Sequence, residues 1–235
     1  MKSSPILFNS EIVRAILNGT KTQTRRVLTP PWKRSVLDGS PCWRFKNATV
    51  WDNGTWHTWD NEGVGGENWE ELTVEKAKIE AAISAAIQGF WRCPFGQPGD
   101  RLWVRETFNG DPSRGIGYAY RATQPEMDGC PWIPSIHMPR AASRITLEII
   151  GIRVERLNEI SAADACKEGA AEILHRPTND PVRRLAYDKF GETLSDDRYA
   201  GSIAAFAALW ESINGPGSWE ANPWCWVVEF KRVTP

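Results

Sequence analysis

The sequence predicts an α+β fold: a small, mostly antiparallel β-barrel with flanking helices, elaborated by two insertions. Short strand-like runs are scattered along the chain with only a few helical patterns between them. Two stretches, at about 32–97 and 107–142, interrupt that succession and read as insertions on one side of the barrel. No internal repeat, low-complexity tract or linker divides the 235 residues, so they read as one domain.

Pro5 to Phe8 is a short strand, and Asn9 or Ser10 can cap a helix whose apolar face is Ile12, Val13, Ile16 and Leu17. Gly19 is placed to end that helix in a left-handed conformation. Between residues 43 and 59, a hairpin turns at Asp52-Asn53-Gly54. Gly63 to Gly66 is a loop, and a helix runs from Thr73 to about Gln88. Asp100 to Thr107 and Tyr118 to Arg121 return to strand, and four prolines make 124–140 a structured loop. Ile145 to Leu157 is the longest strand, with a bulge or bend near Gly151. Ser161 to Gly169 is a capped short helix, 175–200 is partly helical, Ile203 to Ile213 is a helix, and Trp224 to Val233 is the last strand.

Composition excludes several classes. With 41% hydrophobic and 24% charged residues, the chain falls with globular proteins. No apolar run approaches the roughly 18 residues of a spanning helix, and the N-terminal apolar run is too short for a signal peptide. The five cysteines, an odd number at irregular spacing, suggest no disulfide framework, so a cytoplasmic setting is expected. Neither they nor His57, His137 and His175 show metal-ligand spacing, and no cofactor is expected. Residues 1–34 carry seven Lys and Arg against Glu11 alone, a local +6 in a chain of net charge −1. That local patch suits a small anionic or polar ligand better than a long duplex. Thirteen tryptophans offer both core volume and rings for stacking on bases, Trp103 and Trp132 among them.

The densest concentration of chemistry is Gly19-Thr20-Lys21-Thr22-Gln23-Thr24-Arg25-Arg26. It reads either as a solvated loop or as the floor of a nucleoside-sized site. A desolvated Lys21 amine, crowded by Arg25 or Arg26, loses its proton more easily than a free lysine and can serve as base for Thr24. Arg25 and Arg26 would hold a phosphate, carbonyl or carboxylate. Lys21 and Thr24 would face opposite sides of a straight strand, so cooperation requires a turn between Thr22 and Gln23.

The run Ile16 to Arg26 resembles the N-terminal signature of the ASCH family, whose fold is PUA-like. Gly99 to Val104 resembles that family's Gly-Asp entry to a barrel strand, Ile160 to Gly169 its short helix ending in Glu-Gly, and Trp226 to Lys231 its last strand. Pro134 to Arg140 and Asn214 to Trp219 resemble larger, phage-associated members. The resemblance implies one of two activities. Small bacterial members are metal-independent amidohydrolases that remove acyl groups from the exocyclic amine of N4-acetylcytidine and related nucleosides, using a lysine, a threonine and a glutamate. Carried onto this chain, those residues are Lys21, Thr24 and Glu168. Other members are described as RNA-binding or RNA-cleaving, which would make single-stranded RNA a partner. Glu106 is the rival carboxylate to Glu168 and could instead pair with Arg105 or Arg101 on a sheet surface. Whether Thr24 attacks the acyl carbonyl or positions a water is left open by the residues.

Overall fold

The computed structural model describes residues 1–28, 93–111, 115–125, 131–190 and 201–233, and, between 29 and 92, the backbone of five strands. The chain forms two compact units, Met1–Val27 with Arg92–Pro235, and Leu28–Trp91. The fold is α+β.

The larger unit is built on a mixed five-stranded sheet. Its strands in chain order are β1 (Ser3–Leu7), β2 (Gln23–Val27), β8 (Arg101–Arg105), β11 (Thr146–Arg156) and β12 (Trp224–Val233), and their spatial order is β1-β8-β11-β12-β2. β1 runs parallel to β8, and the other three pairings are antiparallel. A small hairpin of β9 (Phe108–Asp111) and β10 (Ile116–Tyr120) stands apart. Among the described residues no ladder joins β1 to β2, so the sheet has two free edges. A side chain spans them instead. Arg26 on β2 donates from Nη2 to the Leu7 carbonyl at 2.6 Å, with its guanidinium 5.3 Å from the Phe8 ring centre.

The apolar alternation of β8 and β11 buries Leu102, Val104, Leu147 and Ile149 on one face. β12 is buried on both faces: Cys225 and Val227 alternate with Trp226 and Val228. Opposite β12, β11 carries one extra residue between Ile149, which pairs with Phe230, and Gly151, which pairs with Glu229. This bulge lies where the glycine suggests it. A Cβ at Gly151 would stand 2.9 Å from Glu229 Oε2. Its consequence is a change of phase, because one inserted residue moves all later side chains to the opposite face. Arg153 and Glu155 therefore share a face with Val227 and Arg25.

Helix α1 (Ser10–Leu17) is capped by Asn9, whose side chain accepts from the Ile12 N–H, and it buries Val13, Ala15 and Ile16. Helix α2 (Ala162–Lys167) is capped by Ser161. Helices α3 (Pro181–Phe190) and α4 (Ser202–Asn214) pack on one another, and α4 also packs on α2. α4 is buried almost all round because its alanines let neighbours approach closely. Its Phe206, Leu209 and Trp210 share a core cluster with Leu157, Ile160, Ala165, Ile173 and Cys225.

The smaller unit contains an antiparallel meander, β3 (Arg34–Leu37), β4 (Ser40–Arg44), β5 (Ala48–Trp51), β6 (Thr55–Thr58) and β7 (Leu72–Thr73), paired in sequence order. The β5–β6 pairing sets Thr49 opposite His57 and Val50 opposite Trp56, which is the expected hairpin. Thr73, expected to open a helix, instead ends β7, paired with Thr55. The rest of that expected helix to about Gln88, the loop expected at Gly63 to Gly66 and residues 191–200 lie outside the described residues.

Candidate functional site

β2 is an edge strand, and a cleft runs along its free edge. The walls come from Ile12 of α1 and from Phe206, Leu209, Trp210 and Ile213 of α4, and the floor from Lys21, Thr24, Arg25, Arg26 and Glu168. The cleft has a volume of about 80 Å³ and opens to solvent. Five residues read from sequence as one site are thus brought together, with an apolar wall that sequence did not reveal.

The backbone leading into β2 explains how. No turn separates Thr22 from Gln23. Instead the chain changes partner at Thr22, whose N–H donates to the Lys167 carbonyl at 2.9 Å and whose carbonyl accepts from the Phe230 N–H at 2.8 Å. Lys21 stands before the strand, bridged to Glu168, while Thr24 lies within it, opposite Val228. Strand alternation therefore does not fix the direction of Lys21 relative to Thr24. Both reach the cleft.

Glu168 is the C-cap of α2, and Gly169 follows with φ +84°. Lys21 Nζ donates to Glu168 Oε2 at 2.7 Å and to the Glu168 carbonyl at 2.9 Å, with both side chains only 3% exposed. The cation thus neutralises a carboxylate and the negative end of a helix together. Burial pushes the Lys21 amine below its ordinary value of 10.5; Glu168 pulls it back up, and Arg26 and Arg25 push it down again.

Arg25 binds the other side of Glu168, from Nη1 to Oε1 at 3.3 Å. Its Nη2 donates to Glu155 Oε2 at 2.7 Å and lies 3.8 Å from Asp164 Oδ2. Arg153 closes the group behind, with ion pairs to Glu155, to Glu229 and, at 2.8 Å, to Asp164. The Arg25 side chain is fully buried, so what Arg25 presents to the cleft is main chain. The ladder accounts for this. The Thr22 carbonyl accepts from Phe230 and, two residues on, Thr24 pairs with Val228 of β12, so strand alternation leaves the N–H and C=O of Arg25 directed at the free edge. The Thr24 hydroxyl makes no hydrogen bond among the described residues. No hydrogen bond links it to Lys21, whose amine is held by Glu168.

Three expected site residues lie elsewhere. Glu106 is buried and held bidentately by Arg144, at 2.9 and 3.0 Å, and not by Arg105 or Arg101. It follows β8 in phase with Leu102 and Val104, whereas Arg101 and Arg105 project from the opposite face. Trp103 lies on that opposite face with the guanidinium groups of Arg105 and Arg140 each 5.5 Å from its ring centre. Trp132 precedes Ile133, which bridges to Phe108. None of the three lines the cleft.

Among the described residues, no three His, Cys, Asp or Glu side chains are grouped to hold a metal ion, and no helix is long and apolar enough to cross a membrane. Burial pushes the Cys225 thiol, near Arg25, up to about 12, which makes it a poor nucleophile. No family model, curated protein or solved structure matches the chain.

Proposed function

We propose that this chain is a metal-independent amidohydrolase of the ASCH type that removes the acyl group from the exocyclic amine of N4-acylated cytosine nucleosides. The observation that carries the reading is Lys21, held through two hydrogen bonds by Glu168 in the cleft that also contains the unpartnered Thr24 hydroxyl. A neutral amine has two N–H groups and one lone pair. With both N–H groups donated to Glu168, the lone pair is left for a proton, and burial favours that neutral form.

In this reading the acyl carbonyl lies against the free edge of β2. Thr24 Oγ1 attacks the carbonyl carbon while Lys21 takes the hydroxyl proton. The carbonyl π-electrons move to oxygen, and the Arg25 main-chain N–H and the Arg26 guanidinium offer donors for that oxyanion. The C–N bond then breaks as Lys21 returns the proton to the leaving amine. Water hydrolyses the Thr24 ester with Lys21 again as base. In the alternative form a water attacks directly and Thr24 only positions it. The apolar wall of Phe206, Leu209 and Trp210 is the surface this reading offers to the base or the acyl group. A PUA-like fold belongs to the same reading; among the described residues its sheet stays open between β1 and β2, where Arg26 makes one hydrogen bond to the Leu7 carbonyl.

A second reading, an RNA-binding module without catalysis, is favoured by one observation: Trp103 carries a guanidinium of both Arg105 and Arg140. Purified protein offered N4-acetylcytidine and single-stranded RNA separates the two. Release of cytidine in the presence of a metal chelator supports the hydrolase. RNA binding that weakens steeply with salt, without release, supports the module.

A further inference from the structure

Resting on the hydrolase reading, we propose that Arg25 is a positioning residue: it grips Glu168 from behind and divides that carboxylate's charge between itself and Lys21. Burial excludes ligand contact by its guanidinium, which is fully enclosed. What the guanidinium touches is acidic. It reaches Glu168 Oε1 at 3.3 Å with one nitrogen and Glu155 Oε2 at 2.7 Å with the other, with Asp164 at 3.8 Å. Its ring neighbour is Phe206, at 5.9 Å, an apolar surface that screens nothing.

The arrangement is a chain of alternating charge. Lys21 holds one oxygen of Glu168 and Arg25 the other; beyond Arg25 stands Glu155, and beyond Glu155 stands Arg153. The charged groups facing Lys21 itself are Glu168 at the end of α2 and Arg25 and Arg26 on β2. Glu155 and Arg153 on β11 and Asp164 on α2 act through Arg25. The more strongly Arg25 engages Glu168, the less that carboxylate favours a proton on Lys21. Glu155 competes for the same guanidinium and so works in the opposite sense. A planar fork suits this task, because two carboxylates are held in fixed directions by one cation, which a lysine ammonium does not achieve.

The bulge in β11 makes the arrangement possible. Without its extra residue, Arg153 and Glu155 would face away from Arg25. The Lys21–Glu168 pair thus depends on a strand distortion far from it in sequence.

Side-chain carbon NMR on protein with labelled lysine follows the titration of Lys21 without any turnover, so a protein that hydrolyses nothing still answers the question. Glu155→Gln frees Arg25 for Glu168 and is expected to move the Lys21 midpoint down. Arg25→Gln is expected to move it up and to lower kcat by about a hundredfold through misplacement of Glu168. The acidic limb of the pH–rate profile should move with each midpoint. Glu155 is a quarter exposed and glutamine keeps an acceptor for Arg25, so Glu155→Gln is expected to fold even if Arg25→Gln does not. An unmoved Lys21 midpoint in folded Glu155→Gln, or movement in the same direction in both variants, overturns the proposal. If hydrolysis is absent but the two midpoints move apart, the network stands and the assigned reaction falls.

Discussion

Lys21 Nζ binds Glu168 twice, through the carboxylate at 2.7 Å and through the backbone carbonyl at 2.9 Å. The second bond ties the amine to the end of α2 and not merely to a movable side chain. Both partners are buried, so removing one leaves a charge that water cannot reach. Lys21→Ala is expected to destabilise the protein by about 3 kcal/mol, at the low end for a broken buried pair because Arg25 still engages Glu168. Urea unfolding midpoints measure this, and an unchanged midpoint would show that the pair contributes little to the fold.

Thr24 sits opposite Val228 in a buried ladder, where a β-branched replacement fits the backbone. Thr24→Val should therefore fold while losing the hydroxyl, and kcat/KM should fall by about a hundredfold or more. Thr24→Ser should keep measurable activity. If Thr24 is the nucleophile, mass spectrometry of quenched wild-type reactions finds the acyl group on it; if water attacks, the protein mass is unchanged.

Asp164 links the site to acid stability. Burial raises its pKa, but a hydrogen bond from Lys167 and the charges of Arg153, Lys167 and Arg25 together outweigh that and hold it below the ordinary 3.8. A depressed folded value means the stabilisation is complete above the unfolded pKa and is lost as pH falls through the folded one. The affected window lies below 3.8. In Asp164→Asn the loss of stability between neutral pH and that window should be smaller than in wild type, as read from thermal midpoints across the range.

Gly169 ends α2 at φ +84°, and a Cβ there would approach the Ala15 Cβ to 3.3 Å and the Lys21 Cβ to 3.5 Å. Gly169→Ala carries the left-handed cost of about 1–2 kcal/mol together with pressure on Lys21. Stability and hydrolysis should fall together. Gly99, also left-handed but with open space around its Cβ position, supplies the control: Gly99→Ala should lose stability alone.

Much of the fold is legible because its signals are local. Asn9 and Ser161 cap helices, Gly151 marks the bulge, and alternation marks β8 and β11. Lys21, Thr24 and Glu168 line one cleft, by a change of strand partner at Thr22 and not by the expected turn. Arg25 was less legible, since its burial depends on a helix and a bulged strand more than 120 residues away. Of the carboxylates, Glu106 is held by Arg144 and not by Arg105 or Arg101, whose side chains strand alternation sets on the opposite face. The apolar wall escaped because α4 reads as uniform core, with no stripe to show which residues turn toward a cleft.

The most direct test is hydrolysis of N4-acetylcytidine, with chelator present, by wild type, Lys21→Ala and Lys21→Arg. Arginine keeps the positive charge beside Glu168 but does not give up its proton, so it separates the ion pair from the base. Wild type should release cytidine, and both folded variants should lose at least about a hundredfold in kcat/KM. No release by wild type, or undiminished release by either variant, contradicts the assignment of Lys21 as the base.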